Sequence, residues 1–169
     1  MPVGKYIEID AGKLKEVQAI NESVGAADAD KIVRTHATGK LHDTLMPEGI
    51  GAETVVCPTS EALLANDVCN FWSDEGVLKV RKAIATDDIK PAHGYVKAGF
   101  ALGANATVYL DAFLPGTGYT IGSVYFLSTT AGGVTTTCPT GAGNIRQVVG
   151  FACNTDKIKF EPGDIIVRL

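Results

Sequence analysis

The sequence predicts a mainly β fold, a compact β-barrel or sandwich built from two pseudo-repeated, hairpin-containing units and preceded by an extended N-terminal arm. Three observations support this prediction. The chain contains 19 glycines and only 20% charged residues, a composition typical of a globular chain with many turns. Beyond about residue 52, short apolar runs alternate with turn residues. A pair of similar segments also recurs at an offset of about 56 residues, which indicates an internal repeat.

Length and charge exclude several classes of protein. A chain of 169 residues has room for one domain, or for a small domain and an arm. The net charge of −4, from 19 acidic and 15 scattered basic residues, argues against a nucleic-acid partner. The apolar runs are far shorter than the ~20 residues that cross a bilayer, so no membrane partner is expected. The first residues lack the apolar region of a secretory signal, which favours synthesis in a cytoplasm.

Residues 1–52 are predicted to form the arm, with at most a short helix. The run KLKEVQAI places Leu14 and Val17 at helical spacing, but the pattern stops near Gly25 after at most two turns. Farther along, small and acidic residues separate isolated apolar positions. Such a segment must cover its apolar side chains on another surface, and the candidate contact residues are Leu41, Leu45, Met46, Pro47 and Ile50.

Residues 53–169 are predicted to form the β-rich domain, with about ten short strands. Turn residues mark two hairpins, at 73–76 and 131–133, where glycine tolerates the positive φ of a tight turn. The candidate strands are ETVVCPT, ALLANDVCNFW, VLKVRKAIA, AHGYVKAGFAL, ATVYLDAF, GSVYFLST, VTTTCPT, IRQVVGFAC, KIKFEP and DIIVRL.

The two pseudo-repeats span about residues 67–110 and 123–160. Each consists of a hairpin, a polar loop, a strand, a turn and a further strand. The two halves are expected to close on each other around one apolar core. The paired positions are Val68 with Val124, Phe71 with Leu127, Gly76 with Gly132, Gly94 with Gly150, and Tyr95 with Phe151.

No catalytic, cofactor-binding or metal-binding residues are predicted. His36 and His42 lie six positions apart, which is neither a helical nor a strand spacing for a shared metal face. His93 begins a strand and is expected to serve packing. The acidic pairs at 28/30, 74/75 and 87/88 fall in turns, where solvated carboxylates are favoured over a calcium site.

The four cysteines, at positions 57, 69, 138 and 153, match neither a metal knuckle nor a dense disulfide scaffold. Buried free thiols are expected, with an adventitious or intersubunit disulfide as the alternative. Trp72 is expected at the edge of the core.

Several segments together resemble a known family. They are GKLHDTLMPEGIGAET, SEALLANDVCNFWSDEGVLKVRKA, AHGYVKAG, GSVYFLSTTAGGVTTTCPTGAGNIRQVVGFA and IKFEPGD, within about residues 38–164. In this order they are similar to small virion proteins of tailed bacteriophages that serve as head decoration, or cement, proteins. The resemblance implies a non-enzymatic homotrimer on the virion capsid surface, with the major capsid protein and itself as partners and an arm that reaches across neighbouring capsid subunits.

Two other functions stay open at this point. A tail- or fibre-associated adhesive module would use exposed aromatic side chains, such as Trp72, Tyr119 and Tyr125, and the threonine-rich strands to bind a host glycan. The long repetitive or coiled-coil stretches of fibre stalks are absent. A small hydrolase domain is the third possibility, although the sequence carries no catalytic motif.

Overall fold

The computed structural model describes residues 4–37, 39–42, 45–46 and 52–167. It divides into two compact units, one within residues 1–51 and one within residues 52–169. The prediction of a mainly β fold is confirmed, because strands account for almost all of the regular structure described.

The first unit contains a β-hairpin where the sequence analysis expected an arm with a short helix. Strands β1 (Lys5–Asp10) and β2 (Lys13–Gln18) pair in antiparallel fashion along their whole length. The prediction of helical turns in KLKEVQAI is therefore wrong. The reason is the turn at Ala11 and Gly12, whose φ values of 49° and 78° suit a two-residue hairpin connection. Pairing with β1 satisfies the backbone of a segment too short to be stable as a helix.

The rest of the described first unit consists mainly of turns. A 3-10 turn at Ala26–Asp28 is followed by a parallel bridge between Ile20 and Val33. Asp28 accepts hydrogen bonds from Val24 N–H and Lys31 Nζ, both at 2.7 Å, and these bonds lower the pKa of its carboxyl group, with Lys31 contributing most. In the described part of the chain, no helix has the length and apolar character that crossing a membrane requires.

The second unit contains twelve strands in the residues described, arranged as two five-stranded sheets and one two-stranded sheet. Each predicted strand segment contains an observed strand. The strands are β3 (Thr54–Pro58), β4 (Val68–Asp74), β5 (Val77–Lys82), β6 (Gly94–Val96), β7 (Asn105–Tyr109), β8 (Phe113–Pro115), β9 (Val124–Leu127), β10 (Val134–Thr135), β11 (Ile145–Arg146), β12 (Val148–Asn154), β13 (Lys157–Phe160) and β14 (Ile166–Val167).

The observed strands differ from the predicted segments in three places. The segment IRQVVGFAC forms two strands, β11 and β12. The segment ALLANDVCNFW becomes a strand only at Val68, because Asn66 has a φ of 71° and the Asp67 carboxylate accepts the Leu64 N–H at 2.7 Å. These features form a turn and not an extended strand. Strand β8 was not predicted as a separate element.

The two five-stranded sheets have the same topology. The first has the order β3-β7-β6-β4-β5, and the second has the order β8-β13-β12-β9-β10. Taken in chain order, the five strands of each sheet occupy equivalent places. The predicted pseudo-repeat is thus confirmed and extended by one strand at its start, so that β3 and β8 each open a repeat.

The register of the strands also repeats. Val68 pairs with Tyr95 in the first sheet, and Val124 pairs with Phe151 in the second. An offset of 56 residues separates both members of these pairs, which is the offset found in the sequence. The next pairing is also the same in both repeats: Tyr95 lies opposite Tyr109, and Phe151 lies opposite Lys159.

The main core of the second unit lies where the two repeats meet. Tyr95 is fully buried there, its ring centroid lies 5.1 Å from that of Phe160, and its hydroxyl donates to the Phe113 carbonyl at 2.8 Å. The buried members are Val68, Ala83, Ala85, Ala92 and Tyr95 from the first repeat, and Leu114, Tyr125, Leu127, Ile145, Val149, Ala152, Ile158 and Phe160 from the second.

A smaller core lies on the opposite face of the first sheet. Leu63 and Phe100 form an isolated bridge beside it, and Phe100 packs against the buried side chains. Its buried members are Cys57, Leu63, Cys69, Val80, Val96, Ala106 and Val108. The first sheet is therefore covered on both faces.

The repeated glycines Gly94 and Gly150 have a common physical reason. A Cβ atom on Gly94 would meet the Tyr109 carbonyl oxygen at 2.7 Å, and one on Gly150 would meet the Lys159 carbonyl oxygen at 1.9 Å. Tyr109 and Lys159 are equivalent positions of the two repeats. In each sheet the neighbouring strand approaches so closely that no side chain fits.

We expect Gly150→Ala to destabilise the second unit by about 3 kcal/mol or more, because the added methyl group collides with backbone and Gly150 also has a φ of 148°. Chemical denaturation followed by Trp72 fluorescence measures the change. Gly163→Ala is the matched control, since a Cβ there has only ordinary contacts at 3.9 Å. Equal stability of the two variants would contradict this reading of the repeat.

Candidate interaction surfaces

The hairpin of the first unit exposes large apolar side chains. Ile7, Ile9 and Leu14 are 60%, 76% and 78% exposed, and Ile9 lies directly opposite Leu14. Most side chains of the two strands are exposed. Exposed apolar groups that neighbour one another in this way are typical of a surface that contacts another protein.

The predicted contact residues lie in the same unit. Leu41 is 48% exposed, Met46 is 38% exposed and Leu45 is partly buried. Pro47 and Ile50 lie outside the described residues. Leu41 and Met46 thus present part of their apolar surface, and their contact with a capsid protein stays a prediction.

A second apolar surface lies on the outward face of the second sheet. One row of side chains crosses four neighbouring strands in register, and we call it the outer row: Val124, Phe151, Lys159 and Phe113. The three apolar members are 46%, 45% and 47% exposed. The ammonium group of Lys157 lies 5.3 Å from the centroid of the Phe113 ring and covers part of it.

The equivalent row of the first repeat is covered. Val68 and Tyr95, which correspond to Val124 and Phe151, are fully buried against the second repeat. Tyr109, which corresponds to Lys159, is partly buried beneath Lys97, whose Nζ lies 3.9 Å from the ring centroid. Two equivalent apolar rows therefore differ in their surroundings, and only that of the second repeat faces solvent.

The sequence analysis missed the outer row. The available signal was the pairing of Val68 with Val124 and of Tyr95 with Phe151, which showed an apolar residue at both positions of each repeat. Period-two alternation does not reveal which face of a strand is covered when both faces carry apolar residues. The assignment required the packing of the two sheets.

Two of the three aromatic side chains considered for glycan binding are not exposed. Tyr125 is only 7% exposed, and its hydroxyl accepts the Thr120 N–H at 3.0 Å. Tyr119 is partly buried in an edge-to-face contact with Tyr125, and burial raises the pKa of its hydroxyl. The expectation that both are available to a ligand is wrong, because Tyr125 belongs to the apolar core at the beginning of β9 and Tyr119 packs against that core.

Trp72 is partly buried near the end of β4. Its indole N–H donates to Ser60 Oγ at 3.0 Å, and the Arg81 guanidinium carbon lies 4.9 Å from the ring centroid. A hydrogen bond and a cation–π contact therefore already engage the ring.

His93 serves the packing of its strand. Its Nδ1 accepts the Phe71 N–H at 3.1 Å, and the two rings stack with centroids 6.2 Å apart. Partial burial lowers the pKa of the imidazole, which favours the neutral form that this hydrogen bond requires.

Only two of the four cysteines are buried. Cys57 and Cys69 lie in the smaller core, whereas Cys138 is partly buried and Cys153 is exposed. Burial raises the pKa of the Cys57 and Cys69 thiols, and for Cys69 the nearby Asp67 and Glu61 carboxylates raise it further. The expectation of four buried thiols is wrong for Cys153, which points outward from β12.

Comparisons with known proteins give matches among solved structures alone. No family model and no curated protein matches the chain. Among solved structures, the N-terminal base of head fibre protein gp8.5 of bacteriophage phi29 matches at a TM-score of 0.45 and 9% identity, over 69% of this chain and 94% of that chain. A similarity at this level does not assign a function.

We expect a thiol reagent to label Cys153 rapidly in the folded protein and Cys57 and Cys69 only after denaturation. The reactive species is the thiolate, and burial with a raised pKa keeps the two core thiols protonated at neutral pH. Mass spectrometry of labelled peptides measures the order of reaction. Cys153→Ser, the control, should remove the rapid phase, and rapid labelling of Cys69 in the folded chain would contradict the structure.

Proposed function

We propose that this chain is a non-enzymatic structural protein of a bacteriophage virion. It binds the outer surface of the capsid, stabilises the lattice of major capsid protein and associates with copies of itself. The family resemblance of residues 38–164 supports the virion role. The observation that carries the proposal is the outer row, whose sister row in the first repeat is buried by a sheet of this same chain.

The first unit supplies the contacts to the capsid protein. Leu41 and Met46 each keep a substantial exposed apolar fraction, and complete burial of such a side chain contributes about 1.5–3 kcal/mol. Part of each side chain is already covered, so one arm binds weakly. Several arms on one oligomer raise the effective local concentration, and the oligomer as a whole is held firmly on the lattice.

The outer row supplies the contacts between copies. Phe113, Val124 and Phe151 are each nearly half exposed and occupy successive places across one sheet. Aromatic residues at the centre of an interface contribute most of its binding energy. Lys159 lies within the row and Lys157 lies beside it, over the Phe113 ring. A protein with a net charge of −4 has surface carboxylates that can pair with both ammonium groups. A second copy of this chain is therefore the occupant that we propose.

The alternative, an adhesive module of a tail or fibre, has less support from side-chain positions. Tyr119 and Tyr125 are engaged in the core, and Arg81 covers one face of Trp72. Immunogold labelling of virions distinguishes the two functions, because signal over the capsid supports the proposal and signal confined to the tail tip overturns it.

We expect the double variant Leu41→Ser/Met46→Ser to bind capsids at least tenfold more weakly than the unmodified chain. The physical reason is the loss of apolar surface, since about 1.4 kcal/mol corresponds to a factor of ten in affinity. Co-sedimentation of purified protein with capsids that lack it measures the affinity, and thermal release of DNA from the decorated particles measures stabilisation.

Leu64→Ser/Leu102→Ser is the matched control for this experiment. Both leucines are exposed, at 65% and 70%, but they lie in the second unit and outside the proposed contact. The control should bind capsids as the unmodified chain does. Equal loss in both double variants, or unchanged particle stability on decoration, would count against the proposed contact.

We expect the unmodified chain to form a trimer in solution and Phe151→Glu to reduce it to a monomer. A carboxylate in the middle of the outer row places an unpaired charge at the interface. Size-exclusion chromatography with light scattering measures the mass, and Trp72 fluorescence shows that the variant is folded.

Val77→Glu is the control for the charge itself, because Val77 is 51% exposed on the β4–β5 hairpin and lies outside the outer row. It should leave the trimer intact. A monomeric unmodified chain at all concentrations, or a Phe151→Glu variant that remains trimeric, would overturn the proposed self-association.

A further inference from the structure

Three metal-binding side chains meet in the first unit. The Nε2 atoms of His36 and His42 lie 3.8 and 3.9 Å from Glu22 Oε1, and one ligand atom from each residue lies within 4.8 Å of the others. From this arrangement we infer that Glu22, His36 and His42 form a binding site for a divalent transition metal, with zinc the best match. The prediction of no metal ligands rested on sequence spacing and did not include Glu22.

Turns of the backbone bring the three residues together. Hydrogen bonds from Ile20 N–H to the Ile32 carbonyl and from Arg34 N–H to the Ile20 carbonyl hold the segment before Glu22 beside the segment before His36. A tight turn follows, in which His36 N–H donates to the Lys40 carbonyl at 2.9 Å. The chain reverses there and places the His42 ring against the His36 ring, with centroids 5.1 Å apart.

The donor set and its dimensions suit zinc. Zinc binds imidazole nitrogen at about 2.0–2.1 Å and carboxylate oxygen at about 2.0–2.2 Å, so tetrahedral ligand atoms are separated by roughly 3.3 Å. The nitrogen–oxygen distances of 3.8 and 3.9 Å need small side-chain rotations to reach that value. Two imidazoles with one carboxylate leave the fourth position to water, whereas calcium and magnesium prefer oxygen ligands throughout.

Two further observations point to a ligand at this place. The Nε2 atom of His36 is buried and has no hydrogen-bond partner in the described structure, and a buried polar atom of this kind is commonly satisfied by an ion or a water. Glu22 also lines a cavity of about 330 Å³ together with Gln18–Asn21 and Lys31. The cavity leaves room for solvent beside the Glu22 ligand.

Metal binding would reduce the conformational freedom of the segment that carries the predicted capsid contacts. A bound ion joins Glu22, which follows the hairpin, to His42, which is the neighbour of Leu41 in the sequence. Closing this loop restricts the conformations of the segment before it binds the capsid. The segment therefore loses less conformational entropy when it docks. The metal site rests on geometry alone and does not depend on the proposed virion function.

Zinc titration of the full chain, made without a polyhistidine tag and treated with chelator, tests the site. Isothermal calorimetry should give one zinc per chain, and cobalt(II) should give the intense visible absorption of a tetrahedral complex. Glu22→Gln, His36→Asn and His42→Asn should each weaken binding at least tenfold. His93→Asn is the control, because His93 lies in the second unit, and it should bind zinc as the unmodified chain does.

The outcomes separate clearly. Far-ultraviolet circular dichroism shows whether each variant keeps the fold, and Glu22→Gln is the decisive variant because it preserves shape and removes only the charged ligand. Absence of zinc binding by the unmodified chain overturns the proposal. Tight binding that persists in both Glu22→Gln and His36→Asn, or that disappears in His93→Asn, overturns it as well.

Discussion

The second unit depends on one interaction, the packing of the first repeat's sheet against the inner face of the second. Tyr95 is at its centre, with its ring against Phe160 and its hydroxyl on the Phe113 carbonyl. Gln147 supports the same junction from the second repeat, because its buried amide accepts the Ala92 N–H at 2.7 Å and donates to the Ala92 carbonyl at 2.9 Å. The apolar contacts drive the association, and the buried hydrogen bonds fix its register.

This packing makes two equivalent repeats physically different. The sheet of each repeat carries apolar residues on both of its faces. Within one chain, however, each sheet can pack against only one other repeat, which covers one of those faces. The first sheet is covered on both faces, by the second repeat and by its own smaller core. The second sheet has its inner face covered and its outer row open. Repetition of a two-faced sheet within one chain thus leaves one apolar face exposed, and we propose that another subunit covers it.

The first unit is built on a different principle. It has the single buried apolar residue Ala19 among its described residues, and its hairpin leaves Ile9 and Leu14 in solvent. Segments with so little core commonly gain order by docking on a partner or by binding an ion. The exposed leucine at position 41 and the His36–His42 pair supply these two possibilities within a few residues of each other. Both uses of the segment are consistent with a structural protein.

The sequence by itself determined the β class, the strand segments of the second unit and the repeat, because turn glycines and the offset between Val68 and Val124 are local or pairwise signals. It did not determine that Lys13–Gln18 is a strand of a hairpin. The apolar spacing of this segment fits two turns of a helix, but the two-residue turn before it directs the segment into pairing with β1. Only the tertiary structure decided that Phe151 is exposed while Tyr95 is buried, and that Glu22 meets His36 and His42. Burial and convergence depend on which distant segments pack together, and neither residue type nor spacing along the chain specifies that.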